Sequence, residues 1–277
     1  MIVEVTYSDS AYERARKYNV KMAYKKGKFD KVYEYTREDI DEDFFHKNEK
    51  ILNCKRGGGY WLWKPYFIDK TLQKLEEGDY LCYCDAGAFF LSSVHPLIQF
   101  MDRENQDILL FELSHPERNW TKRDVFLRLE CDAPEYADTK QRIATYLIIK
   151  KNVKTTEFVR EWLKIGCEYP IISDEDNVVF EQKNYEGFIS NRHDQSILSV
   201  LSKKWGYPAY LDPSQFRYEI GAIKRIKSRI EIDGRIPYRI CICLHRKKWA
   251  DCMTHIREII SDYFPILRRV VYYLNFS

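Results

Sequence analysis

Two spacings of apolar residues alternate along the chain, one suited to strands and one to helices. Met1–Tyr7 reads as a first strand, closed by the polar Ser8-Asp9-Ser10. A helix is predicted over Ala11–Tyr18 and a second strand over Val32–Tyr35. Pro65 to Glu77 reads as a helix, with Pro at its first position, Ile68, Leu72 and Leu75 as an apolar stripe, and Gly78 as its stop. Tyr80–Tyr83 is a buried strand that resumes, after a break, at Phe89-Phe90-Leu91. A short helix follows over Pro96–Met101, then a strand over Ile108–Leu113. Lys140–Ile149 joins a polar start to an apolar end, and periodicity does not separate strand from helix there. Thr155–Gly166 carries Phe158, Val159, Trp162 and Leu163 on a helical face, and Asp194–Lys203 carries Ile197, Leu198 and Leu201. Arg239–Leu244 is a last strand, and the remainder reads as helical. Asp174–Asn191 is polar and irregular, either a loop near a ligand or an insertion. Strands alternating with helices imply an α/β layered domain.

Composition narrows the class. The 277 residues are 45% hydrophobic and 15% aromatic, with only 11 Gly and 9 Pro, so a full core can form and a low-complexity chain is excluded. A net charge of +3 is too balanced for a dedicated nucleic-acid protein. The balance is uneven, since the chain from Ala222 onward holds 12 basic and 5 acidic residues. The N-terminal MIVEVTYSD has no apolar leader core, because Glu4 interrupts it, and the eight cysteines suggest reduced thiols. The expected setting is therefore cytoplasmic. Cys82/Cys84 and Cys241/Cys243 each share one face of a strand, which suits buried small hydrophobes better than a zinc knuckle.

Four segments bear candidate chemistry. The strand Tyr80–Cys84 runs into Asp85-Ala86-Gly87. A carboxylate at a strand's carboxyl end, with small neighbours, either meets a ligand or caps a turn. Arg56-Gly57-Gly58-Gly59 precedes Tyr60–Lys64, and its glycines either present N–H groups to an anion or form a flexible turn. No Walker loop is present. Asn191–Ser196 opens a helix with His193, Asp194 and Gln195 in succession, more than a cap requires. His245 closes the Ile240–Leu244 run, as a metal ligand, a phosphate contact or a structural histidine. A further polar stretch from Glu112 to Asp124 contains Trp120, which either stacks on an acceptor sugar or lies in a surface loop.

Taken in order, these segments resemble a GT-A nucleotide-sugar glycosyltransferase, and among those the bacterial enzymes of capsular polysaccharide and lipopolysaccharide synthesis. The resemblance rests on Gly59–Pro65 (GYWLWKP), the Gly78-Asp79 turn, the strand ending Tyr83-Cys84-Asp85-Ala86-Gly87, and His193–Ser196 (HDQS). It implies a single Rossmann-type domain over residues 1–245, with a mixed central sheet flanked by helices, and a helical C-terminal segment over 246–277. It implies a nucleotide-diphosphate sugar as donor and a glycan or lipid-linked acceptor. Thr6, Tyr7, Ser8, Arg56, Lys64, Asp85, Ala86, Gly87 and His193 are the implied donor-binding residues. Asp194 and Asp85 are the implied catalytic pair. Asp85 matches the first carboxylate of an Asp-x-Asp motif whose second position is here Gly87. Mn²⁺ or Mg²⁺ on Asp85 and His245 is the corresponding cofactor expectation. The basic C-terminal segment, with its stripe Trp249, Cys252, Met253, Ile256, Ile259 and Ile260, either contacts the inner membrane peripherally or completes the core. The competing readings are a sugar nucleotidyltransferase and a non-catalytic carbohydrate- or nucleotide-binding module.

Overall fold

A computed structural model of the chain describes residues 1–218, 238–250 and 253. The helical C-terminal segment expected over 246–277 lies mostly outside the described residues. The strands are β1 (Ile2–Tyr7), β2 (Lys31–Tyr35), β3 (Tyr80–Cys84), β4 (Ala88–Phe90), β5 (Ile108–Pro116), β6 (Lys140–Arg142), β7 (Tyr146–Lys150), β8 (Ala209–Tyr210) and β9 (Ile242–Leu244). Seven of them form a mixed sheet in the order β2-β1-β3-β7-β5-β6, with β8 added beside β5. β1 runs parallel to β2 and β3, while β7 is antiparallel to β3 and β5. Helices flank this sheet, so the α/β architecture with a mixed central sheet is the one observed.

Side-chain alternation explains the layering. Val3, Val5 and Tyr7 of β1, with Leu81 and Tyr83 of β3, face a large core with Phe67, Phe158, Trp162 and Leu198 from the helices. Cys82 and Cys84 face the opposite layer with Phe90, Leu97, Phe111 and Leu244. Each fully buried side chain of this size stabilises by roughly 1.5–3 kcal/mol. The four cysteines of the two Cys-x-Cys pairs are buried, in line with their reading as small hydrophobes.

The ambiguous stretch 140–149 resolves into β6 and β7. β7 lies between β3 and β5, and Tyr146 to Ile149 are all buried, so no alternation marks it as a strand. The helix expected from Pro65 begins two residues earlier and spans Trp63–Leu72. Pro65 is then its third residue, a position whose missing N–H costs no helical hydrogen bond. The Val153–Gly166 helix is set by a capping box: Asn152 Oδ1 accepts from Thr155 N at 2.8 Å and Asn152 N donates to Thr155 Oγ1 at 3.1 Å. Its Trp162 Nε1 donates to Asp194 O at 3.0 Å, which anchors the start of the Asp194–Lys204 helix. β4 and β9 pair as a separate antiparallel ribbon and bring residue 245 back to the end of β3.

Candidate functional site

Three side chains that are far apart in sequence meet at the carboxyl end of β3. Lys64 Nζ lies 3.0 Å from Asp194 Oδ2 and 3.4 Å from Asp85 Oδ1, and it donates to Ala144 O at 3.1 Å. Tyr83 donates its hydroxyl to Asp85 Oδ1. Lys64 and Asp194 are almost wholly enclosed, at 3% and 4% side-chain exposure, whereas Asp85 is 26% exposed and is the open member. The contact with Asp194 is a close ion pair rather than an aligned hydrogen bond, since Asp194 Oδ2 has no hydrogen-bond partner.

The electrostatics of this triad follow from burial. Burial works to lower the Lys64 pKa, but Asp194 and Asp85 outweigh it, and the ammonium is held above its ordinary value. Asp194 goes the other way. Burial lifts it to about 6 despite the attraction of Lys64, and the Asp85 charge adds to the rise. A carboxyl at the first position of a helix gains from the helix dipole, yet desolvation dominates here.

The glycine triplet serves a different purpose from the expected anion cradle. Gly58 N donates to Lys55 O and Gly59 N to Arg56 O, so these groups close a turn. Gly57, Gly58, Gly59, Tyr60 and Trp61 all have positive φ, between 52° and 105°. A left-handed run of this kind costs L-residues about 1–2 kcal/mol each, and glycines remove most of that cost. The turn places Trp63 and Lys64 at the start of their helix, pointing inward. Trp63 stacks on Tyr7 with centroids 3.9 Å apart.

His193 holds this turn against the Asp194 helix. Its ring lies 4.7 Å from that of Tyr60 and 5.5 Å from that of Trp61, and its Nδ1 donates to Ile172 O at 2.8 Å. Its backbone has φ 55° and ψ −120°, a strained conformation directly before Asp194. At 2% exposure its ring is enclosed by these partners. Arg56 does not join Lys64. It lies 3.5 Å from Asp174, which in turn sits 3.5 Å from His193 Nε2.

Thr6, Tyr7 and Ser8 are likewise enclosed, at 0%, 5% and 4% exposure. The Tyr7 ring belongs to the aromatic core, Ser8 Oγ accepts from Arg16 Nε at 3.1 Å, and Thr6 Oγ1 faces inward without a partner. Core packing turns these side chains inward.

Ala86 and Gly87 form the turn after Asp85. Gly87 O accepts from both His245 N and Arg246 N at 2.9 Å, so His245 does reach this turn. The expected metal set does not fit it. His245 Nδ1 accepts from Lys247 N at 3.1 Å, so the neutral ring carries its proton on Nε2 and offers no lone pair there. A Cβ on Gly87 would lie 3.3 Å from Arg246 Cα, so the turn leaves little room for a second carboxylate. Asp85 is already engaged by Lys64 and Tyr83. Among the described residues no three His, Cys, Asp or Glu side chains converge as metal ligands.

Two features had no signal in the sequence. Lys122, 2% exposed, donates to the carbonyls of Pro170, Ser173 and Glu175, and burial lowers it to about 8. Asp124 accepts from Val179 N at 2.9 Å and Phe180 N at 3.2 Å. Together they pin the irregular 174–191 stretch, so the segment around Trp120 supports that loop. The Trp120 ring itself is covered by the Arg192 guanidinium, 4.0 Å from its centroid.

No protein-family model matches the sequence, and no characterised protein matches it at sequence level. Solved structures similar to it include mouse xyloside xylosyltransferase 1 in its apo form, at 8% identity and TM-score 0.47, over 92% of this chain and 99% of that one. The galactosyltransferase LgtC, solved with donor and acceptor sugar analogs, is 15% identical with TM-score 0.47, over 88% of this chain and 87% of that one. The glycosyltransferase GlyE of Streptococcus pneumoniae is 18% identical with TM-score 0.42, and the match covers 88% of this chain but 54% of that one.

Proposed function

We propose that the chain transfers a sugar from a nucleotide-diphosphate sugar to a glycan or lipid-linked acceptor. The observation that carries this reading is the Lys64 ammonium clamped between Asp85 and Asp194 at the carboxyl end of β3, where α/β sheets bind ligands. The order of the GYWLWKP, Asp85-Ala86-Gly87 and HDQS segments supports it. The resemblance carried by those segments is to enzymes of surface polysaccharide and lipopolysaccharide assembly.

The chemistry suits these groups. Breaking the bond from C1 to the diphosphate builds an oxocarbenium-like sugar and leaves negative charge on the departing oxygen. A fixed cation in a dry site stabilises that charge without reorganising. Lys64 is such a cation. Asp85 repels phosphate, so its natural partners are donor hydroxyls, on the ribose or on the sugar, which a carboxylate accepts from. Asp194, with a pKa lifted to about 6, is the group suited to exchange a proton or stabilise positive charge at the reacting sugar near neutral pH.

The test is to incubate the protein with a panel of nucleoside-diphosphate sugars and mixed oligosaccharides and follow the products. Release of nucleoside diphosphate with a glycosylated product is the expected result. Consumption of a nucleoside triphosphate with release of pyrophosphate would instead make it a nucleotidyltransferase, and tight binding with no release a binding module.

A further inference from the structure

Resting on the sugar-transfer reading, we propose that this chain stabilises the departing diphosphate without a divalent cation, through the Nε2–H of His245 and the guanidinium groups of Arg192 and Arg246.

The donor polarity of His245 is the first support. Lys247 N donates to His245 Nδ1 at 3.1 Å, which leaves the ring proton on Nε2. A metal-bound imidazole needs the reverse arrangement, with a bare Nε2 and a protonated Nδ1 held by an acceptor. His245 is 93% enclosed, and its Nε2 has no hydrogen-bond partner. A buried donor without an acceptor costs about 1–3 kcal/mol, and an anionic oxygen brought to this N–H would remove that cost.

Charge is the second, independent support. Arg246 lies against Gly87, through its N–H to Gly87 O and the close approach of its Cα. The charge of Arg246 works against that of Arg192, two residues before Asp194. The attractive charge that reaches Arg192 is Glu117, which is already paired with Lys203. Arg192 rests on the Trp120 ring and Arg246 on the Phe216 ring, 5.3 Å from its centroid. Neither forms a carboxylate ion pair among the described residues. Two guanidiniums without a carboxylate ion pair and an unpartnered N–H, carried by the segments that precede Asp194 and meet Gly87, are complementary to an anion and not to Mn²⁺ or Mg²⁺.

The experiment titrates uridine and guanosine diphosphate into the full chain by calorimetry, once with chelator and once with Mn²⁺, and reads the His245 ring by long-range ¹H–¹⁵N correlation. We expect a nucleoside diphosphate to bind as tightly in chelator as in Mn²⁺, and the His245 proton to sit on Nε2. His245→Ala and Arg246→Ala should each weaken binding at least about tenfold, in chelator as in metal. Arg246→Lys should restore part of the loss, which separates charge from folding. Binding that appears only with Mn²⁺, or a proton on Nδ1, overturns the metal-free site while leaving sugar transfer standing. Absence of nucleoside-diphosphate binding under both conditions overturns the inference together with the functional reading beneath it.

Discussion

Lys64 can be weighed by removing either its charge or that of its partner. Lys64→Met leaves Asp85 and Asp194 facing each other without a cation, and breaking a buried pair of this kind costs about 3–5 kcal/mol. Turnover should fall by roughly 10²–10³-fold, the usual loss when one preorganised electrostatic group is deleted. Lys64→Met combined with Asp194→Asn should recover much of the lost stability and none of the lost rate. Denaturant melts and initial rates on the single and double variants measure both, and joint recovery would reduce the triad to a structural pair. A second expectation concerns acid. If Asp194 acts ionised, kcat/KM should show an acidic limb near pH 6, and Asp194→Asn should remove the limb along with most of the activity. A limb that persists in the Asn variant belongs to another group.

The turn ahead of Lys64 shows how an element's sequence can be legible while its reason is not. Three consecutive glycines are plainly unusual, and anion binding is a fair reading of them. Their actual use is a left-handed run that continues through Tyr60 and Trp61, held by stacking of His193 on those rings. This predicts an order of effects. At Gly58 an added Cβ meets only Trp63 Nε1 at 3.7 Å, so Gly58→Ala should cost about 1–2 kcal/mol of backbone strain. At Gly59, φ is 105° and the Cβ would approach Leu52 Cα to 2.8 Å, so Gly59→Ala should cost distinctly more. Equal midpoints in urea for the two variants would contradict this account. The Val153–Gly166 helix was readable from periodicity, and β1 and β3, buried on both faces, from short apolar runs closed by polar residues. β7 was not separated from helix, because its apolar run continues from the polar start at β6 with no turn signal between them. The residue types of the triad were readable at Lys64, Asp85 and Asp194, but their meeting was not. It depends on β1–β3 pairing, on the left-handed turn and on Trp162 gripping the Asp194 carbonyl. The Lys122 cage left no mark in the sequence because its partners are backbone carbonyls, which any residue supplies.

Among the described residues, buried titratable groups fall into opposing sets that shape how stability responds to pH. Glu4 is fully buried on β1 beside Asn19 and Cys82, and burial raises its pKa well above the ordinary value. Asp194 is raised to about 6. For both, the folded state keeps a proton that the unfolded chain gives up, so their contribution is fully present below pH 4 and is lost as pH rises. His245, lowered to about 4 by burial, and His193, lowered in the same direction, act oppositely: their contribution is present above pH 6.5 and is lost on acidification. Between pH 4.5 and 6.5 the two sets offset each other. Above pH 7 His245 and Asp194 no longer titrate, whereas burial still opposes ionisation of Glu4. Lys122, lowered to about 8, titrates around that value with the opposite sign, so it offsets part of the change from pH 7 upward. As pH rises the native protein should therefore lose stability through Glu4, whose ionisation burial opposes. Glu4→Gln keeps the shape and the hydrogen-bonding atoms but cannot ionise in the unfolded chain. It should raise stability at pH 8 more than at pH 6 and flatten the decline between pH 7 and 8. Urea unfolding of both proteins across that range reads the difference directly, and parallel slopes would mean that Glu4 is ionised in the fold.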